Sequence, residues 1–243
     1  MTDTPERREP PAPDPRSASS STPHDAALDE ACRALRARRI SPELLGRIAS
    51  DSRLQSSYEV RLRTVLRPEL PLAAGLPLLG SLRWRDLARV MDDVRLFAPL
   101  RARAEQLLGE RIEEMTSGEK VTLARLASRV LIRSLRDTYD GRVIAALLSN
   151  PRAIEEDALR IARSEQSPAG VLTVLARHER WGERHAIRMA LAQNRRCPPA
   201  DALRALRGLP ARDLARIQEN PSAPRLIRLS ASRLLTESPD ALH

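Results

Sequence analysis

Two stretches of this 243-residue chain, 127 positions apart, decide its fold class. They read "EVRLRTVLRPELPLAAGLPLLGSLRWRDLARV" at 59–90 and "AIRMALAQNRRCPPADALRALRGLPARDLARI" at 186–217. Both contain the pentapeptide RDLAR, at Arg85–Arg89 and again at Arg212–Arg216. The shared positions are mainly Leu, Ala, Arg and Pro, and the apolar ones recur at helical spacing. We interpret the two stretches as copies of one helical segment.

The similarity extends beyond these stretches and predicts an internal duplication. The first copy covers about 40–108 and the second covers 167–235. Residues 109–166 have the same helical pattern, with weaker signals for helix starts and ends. A repeated unit that is too small to bury its own apolar face must stack on its neighbours. We therefore expect one α-solenoid over 26–236 and a flexible tail at 237–243.

Prolines mark a shorter period inside each copy. They open helices about 26–30 residues apart, and they are Pro42, Pro71 and Pro99 in the first copy and Pro168, Pro198 and Pro224 in the second. Ser41 or Ser167, just before such a proline, can cap the helix. The second helix of a pair ends near Asn, as at Asn150 and Asn220, because Asn tolerates the left-handed conformation and the following Pro stops the helix. The unit is therefore a helix pair.

Composition supports an all-α chain. Aromatic residues are few, and they are Tyr58, Trp84, Phe97, Tyr139 and Trp181. A core of Leu, Ala, Val and Ile suits close helix–helix packing, whereas sheets draw on aromatic and β-branched residues. Nine glycines and the lack of alternating apolar runs also argue against strands.

The ends and the cysteines bear on location and cofactors. Residues 1 to 25 are rich in Pro, Ser and charge, and we expect them to form a disordered arm. The chain has no apolar segment typical of a signal peptide or of a bilayer-spanning helix, which favours a cytoplasmic protein that does not enter a membrane. Cys32 and Cys197 are far apart and lack ligand spacing, so we expect reduced thiols and no metal or other cofactor.

The stretch "AIRMALAQNRRCPPADALRAL" resembles the repeat of the leucine-rich repeat variant family and, more loosely, HEAT-like repeats. The matching positions are Ile187, Arg188, Leu191, Ala192, Asn194, Pro198, Leu203 and Leu206, and a second match is at Val143, Leu147, Asn150, Pro151 and Leu159. The resemblance implies a right-handed α-solenoid of stacked helix pairs. Arg195 stands where the repeat prefers Pro, and the family's iron–sulfur site has no counterpart because the chain lacks its cysteine cluster.

Positive charge is concentrated in the second copy. The whole chain has a net charge of +9, and residues 167–235 carry thirteen Arg against five acids. The chain has forty Arg and one Lys, a bias that a GC-rich genome would also produce. The positive charge by itself is therefore weak evidence for nucleic-acid binding. Nine residues form the candidate binding surface, a basic strip: Arg177, Arg180, Trp181, Arg184, Arg188, Arg204, Arg207, Arg212 and Arg216. Trp181 could stack on a base or sugar, or it could fill the core at a repeat junction.

Catalytic motifs with specific spacing are missing from the sequence, so two binding functions are considered. Phosphate-binding glycine loops, the HExxH zinc motif and the GxSxG nucleophile motif do not occur. We expect a non-catalytic scaffold that binds another protein, because solenoids present an extended surface. The alternative is a nucleic-acid-binding α-solenoid that uses the basic strip.

Overall fold

The computed structural model describes residues 23–237, and every regular element in that range is an α-helix, which confirms the all-α prediction. The sixteen helices of the described range are Pro23–Arg36 (α1), Pro42–Ser50 (α2), Ser52–Ser56 (α3), Tyr58–Val65 (α4), Leu72–Leu79 (α5), Trp84–Asp92 (α6), Ala98–Arg111 (α7), Ser117–Leu126 (α8), Arg129–Arg136 (α9), Gly141–Leu148 (α10), Glu155–Arg163 (α11), Ala169–Ala176 (α12), His185–Gln193 (α13), Pro199–Arg207 (α14), Ala211–Glu219 (α15) and Arg225–Glu237 (α16). Residues 23–25, predicted as part of a disordered arm, and residue 237, predicted as part of a flexible tail, are helical, so both predicted bounds are wrong. The rest of the arm and residues 238–243 lie outside the described residues.

The chain divides into two compact units, one ending at Leu82 and the other beginning at Arg83. Helices α1 to α5 form the described part of the first unit. Its core consists of apolar side chains from the helices and the turns that join them, namely Leu35, Ile40, Leu45, Ile48, Ala49, Val60 and Leu70. The division falls inside the segment predicted as the first copy.

Helices of the second unit pack mainly on neighbours one or two positions along the chain. Helices α9, α11 and α13 contact one another in order, and α8, α10, α12 and α14 do the same. Helix α15 joins the former set through side-chain hydrogen bonds to α13. We call α9, α11, α13 and α15 the first layer, and α8, α10, α12 and α14 the second layer.

The predicted helix starts agree with the structure, but the capping residues agree only in part. All six prolines lie immediately before a helix or in its first two positions. Ser41 caps α2, because its Oγ accepts a first-turn backbone N–H at 3.2 Å. Ser167 does not cap α12. It is buried, and its hydroxyl donates to the Ile161 carbonyl at 2.8 Å, so it closes the preceding turn instead.

Asparagines at two helix ends bridge to the helix two positions earlier. The Asn150 amide, after α10, donates to the Ala124 and Ala127 carbonyls at the end of α8, at 2.8 and 3.0 Å. Asn194, after α13, makes the corresponding bonds to two carbonyls at the end of α11, at 2.7 and 3.1 Å. The last carbonyls of a helix have no partner within it, and these amides supply one. Each bridge ties two helices of one layer together.

The backbone at these helix ends differs from the prediction. Asn194 and Asn220 are extended, with φ of −75° and −76°, so the left-handed conformation expected there is wrong. Among the described non-glycine residues, positive φ occurs at Tyr139 alone, with φ of 51°. The asparagines are needed for their side-chain amides, because a hydrophobic residue could adopt the same backbone but could not reach the carbonyls.

Candidate binding groove

An open groove of about 790 Å³ runs along α13, between the ends of α11 and α15. It is lined by Arg163, Glu165, His185, Ala186, Met189, Ala190, Gln193, Asn194, Arg195, Asp213, Arg216, Asn220 and Ser222. We call this surface the α13 groove. Because α11, α13 and α15 belong to the first layer, the groove crosses that layer.

Helix α13 supplies the floor of the groove. Ile187 and Leu191 are fully buried on the side of the core. Ala186, Met189 and Ala190 form a second stripe at helical spacing and line the groove. Small side chains at two of these positions leave space between the flanking helices. Met is flexible and polarizable, so it adapts to irregular apolar partners.

A buried carboxylate organises the charges at one wall. Asp213 is 3 % exposed and receives a hydrogen bond from His185 Nε2, at 2.7 Å. Its other oxygen lies 3.8 Å from Arg216 Nη1, and Arg212 Nε lies 3.9 Å from the carboxylate. As the third residue of α15, Asp213 also complements the positive end of the helix dipole. It therefore offsets part of the positive charge that the sequence places there.

A second groove of about 600 Å³ crosses the end of α11 and shares Arg163 and Glu165 with the α13 groove. It is lined by Arg136, Asp137, Tyr139, Arg160, Ile161, Arg163, Ser164, Glu165 and Gln166. We call it the α11 groove. The two grooves are therefore adjacent, and together they extend from the end of α9 to the end of α15.

Tyr139 lies at the α9 end of the α11 groove. Its φ of 51° is uncommon for a residue with a Cβ, and it persists where surrounding contacts hold it. The Tyr139 hydroxyl provides such contacts, lying 3.1 Å from Ser164 Oγ and donating to Gln166 Oε1 at 3.1 Å. The ring is consequently fixed in place as part of the groove wall.

Arginines dominate the exposed charge of the two grooves. Arg160, Arg163 and Arg216 are exposed, as is Arg195, whose Nε donates to a backbone carbonyl at 3.1 Å. Glu165 and Asp137 are the exposed acids among these lining residues. Arg136, in contrast, is mostly buried and is held by an ion pair. The surface available to a ligand is therefore positive, with isolated negative points.

The predicted strip of nine residues is divided in the structure. Trp181 is 2 % exposed, and its Nε1 donates to the Leu148 carbonyl at 2.8 Å. Its ring is covered by Arg180, whose guanidinium lies 4.2 Å from the ring centroid. Stacking of Trp181 on a base is therefore wrong, and the core-filling alternative matches its burial.

The remaining arginines fall into three groups. Arg188 is half-buried, pairs with Glu183 and donates to the Gly208 carbonyl at 3.1 Å, so it is held within the fold. Arg177 lies 3.5 Å from the buried Asp201, which partly neutralises its charge. Asp213 does the same for Arg212 and Arg216. The third group consists of Arg184, Arg204 and Arg207, which are exposed. Of the nine predicted residues, only Arg216 lines either groove.

Four groove arginines were absent from the predicted strip. Arg136, Arg160 and Arg163 precede the second copy, and Arg195 follows α13. A usable signal was present, since Arg136 and Arg163 each end a helix of the described chain and are 27 positions apart, close to the repeat period. Charge density alone pointed to the later residues instead.

Comparison with known proteins gives no relative. The chain matches no protein-family model, no curated protein and no solved structure. Within residues 23–237, no helix has the length and apolar character required to cross a membrane.

Proposed function

We propose that this chain is a non-catalytic protein-interaction scaffold, and that a segment of another protein occupies the α13 groove. The observation that carries the proposal is the groove itself, an open channel with a floor of Ala186, Met189 and Ala190 and a charged rim. An apolar floor with polar edges is the usual composition of a site that holds a partner segment.

We also propose the finer architecture, a right-handed α-solenoid of the leucine-rich repeat variant or HEAT-like type with an internal duplication. Packing of helices mainly on near neighbours supports a repeat array within the second unit. Helix α6 shifted by 127 positions coincides with α15, and α4, α5 and α7 shifted in the same way match α13, α14 and α16 within two residues at each end. Equivalent helices of the two copies, such as α6 and α15, are nine helices apart in chain order. Because nine is odd, the offset between the copies is not a whole number of helix pairs.

Equivalent positions of the proposed copies are buried alike. Val60 and Ile187 are both fully buried, and Leu87 and Leu214 are 0 % and 7 % exposed. Replacing either leucine of the second pair with Asp would bury an unpaired charge, so both Leu87→Asp and Leu214→Asp should destabilise the chain by several kcal/mol. Urea unfolding of each variant tests this, and native-like stability of both would contradict the duplication.

The alternative, nucleic-acid binding, draws on the exposed arginines Arg184, Arg204 and Arg207. It is weakened by the burial of Trp181 and by the acidic partners of the other arginines, such as Asp213. Protein binding is therefore the function we favour.

Site-specific cross-linking separates the two functions. A photoreactive phenylalanine analogue replaces Met189 in the groove or, as a control, the exposed Arg207 outside it. We expect a discrete protein adduct from position 189 and none from 207. Filling the groove by Ala186→Trp should abolish the adduct, whereas Ala200→Trp on α14 should not. Adducts that are equal at both positions would refute the proposal.

A nucleic-acid titration is the second part of the test. Labelled duplex DNA and RNA are titrated at low and moderate salt with wild type and with the Arg204/Arg207/Arg212/Arg216→Ala variant. Binding to phosphates should weaken steeply with salt, and the variant should lose part of that dependence. Tight binding of this kind, without a protein adduct at 189, would establish the alternative.

A further inference from the structure

We propose that the segment held by the scaffold is acidic and adopts the polyproline II conformation, lying across the first layer from Tyr139 to Arg216. This inference rests on the proposed function and names the chemistry of its partner. The site consists of the adjacent α11 and α13 grooves, which share Arg163 and Glu165.

Charge complementarity indicates the acidic character. Arg160 and Arg163 share one face of α11, three residues apart, and both are exposed. Arg195 extends the positive charge past the end of α13, and Arg216 on α15 adds a cation whose charge Asp213 partly offsets. Arginines bind carboxylates through charge-assisted hydrogen bonds, so a partner with spaced Glu or Asp residues satisfies all of these sites.

Helix spacing indicates the conformation of the partner. Packed helices lie about 8–10 Å apart, so equivalent positions recur at that distance across the layer. Polyproline II has three residues per turn and a rise of about 3.1 Å, which returns side chains to the same face about every 9 Å. A β-strand returns them about every 7 Å, a poorer match. An acid at every third position of a polyproline II segment would therefore meet successive helices.

The apolar parts of the surface suit the intervening residues. Polyproline II ligands dock their rings on aromatic walls, and Tyr139 presents a ring whose position its hydroxyl bonds fix. Met189 and Ala186 offer an aliphatic floor further along. Because the conformation has no internal hydrogen bonds and is already extended, little ordering entropy is lost on binding.

Three acids in the surface favour a peptide over a nucleic-acid strand. Asp137, Glu165 and Asp213 line the two grooves among the arginines. A phosphodiester backbone carries charge at every residue and would be repelled at these points. A segment with an acid at every third position can place uncharged residues there.

The test measures binding of labelled peptides to the full chain by fluorescence anisotropy. The probes, each of about twelve residues to cover four helices, are a repeated Glu-Pro-Pro peptide, the flexible Glu-Gly-Gly and cationic Lys-Pro-Pro analogues, and an oligothymidylate. Arg160→Gln/Arg163→Gln removes two groove arginines. Arg204→Gln/Arg207→Gln is the matched control, because it removes two exposed arginines at the same spacing on α14, outside both grooves.

We expect Glu-Pro-Pro to bind more tightly than both peptide analogues and the oligothymidylate. The α11 double variant should weaken its binding about tenfold, and the control by less than about twofold. Equal binding of Glu-Gly-Gly would overturn the conformational part. If no peptide binds but the cross-linked adduct at position 189 still forms, this inference is overturned and the proposed scaffold function is not. Binding of oligothymidylate alone would overturn both proposals.

Discussion

Asn150 provides the sharpest test of how the layers are held. Its side chain is 1 % exposed and makes three hydrogen bonds. The amide donates to the Ala124 and Ala127 carbonyls, and Oδ1 accepts the Arg152 N–H at 2.8 Å. Asn150→Ala removes all three and leaves buried groups unpaired. Taking about 1 kcal/mol for each bond, we expect a loss of about 3 kcal/mol.

Two other asparagines serve as matched comparisons. Asn194 makes the same two amide bonds to carbonyls, and Asn194→Ala should cost a similar amount. Asn220 is half-buried, donates instead to the Gln193 side chain at 3.0 Å, and accepts the exposed Ser222 N–H at 2.9 Å. Asn220→Ala should cost only about 1 kcal/mol, because water can replace a partly exposed partner.

The assay combines urea unfolding, followed by circular dichroism, with hydrogen exchange measured by mass spectrometry. Exchange is needed because repeat arrays can unfold in parts. In Asn150→Ala, faster exchange should be concentrated at the junction of α8 and α10. The reasoning would be refuted if Asn150→Ala retained wild-type stability or if Asn220→Ala were equally damaging.

Three further predictions concern ionisable groups. Asp157 is 1 % exposed and lies 3.3 Å from Arg136 Nη1, so Asp157→Asn should cost about 3 kcal/mol in urea unfolding, and a cost below about 1 kcal/mol would contradict its role. Burial, and secondarily a nearby carboxylate, raises the pKa of the Cys197 thiol to about 12, so at pH 8 a thiol reagent should modify the half-buried Cys32 first and reach Cys197 only on unfolding; equal rates would contradict this. A backbone N–H and then an indole N–H lower the pKa of Glu119, so its stabilisation is present above pH 4.5 and is lost as the pH falls through the folded-state pKa. The Tm advantage of wild type over Glu119→Gln should therefore shrink as the pH falls from 5 to 3. A Tm difference that stays constant over this range would contradict a stabilising role of the Glu119 carboxylate.

Local structure was largely predictable because it depends on short-range patterns. The helix starts at the six prolines followed from backbone restrictions that act within one turn. Apolar residues at helical spacing, such as Leu87 and Ile187, are buried in the structure. The roles of Asn150 and Ser167 were misjudged because their partners belong to other turns or helices, which no local pattern identifies.

The candidate site was predicted less well, and the cause is again distance along the chain. Arg204 and Arg207 have the same spacing as Arg160 and Arg163, so sequence alone treats the two pairs alike. The first pair lies on α14, in the second layer, whereas the other lies on α11 and lines a groove.

What the sequence determined by itself is the all-α class and the helix starts at the six prolines, since each follows from interactions between residues a few positions apart. Only the tertiary structure decided that Trp181 is buried, that Asp213 sits between His185 and Arg216, and which arginines line a groove. An exposed side chain on a helix gains a function only from what the neighbouring helices place beside it. That arrangement is fixed by the packing of layers whose members are about 28 residues apart, and spacing within one helix does not encode it.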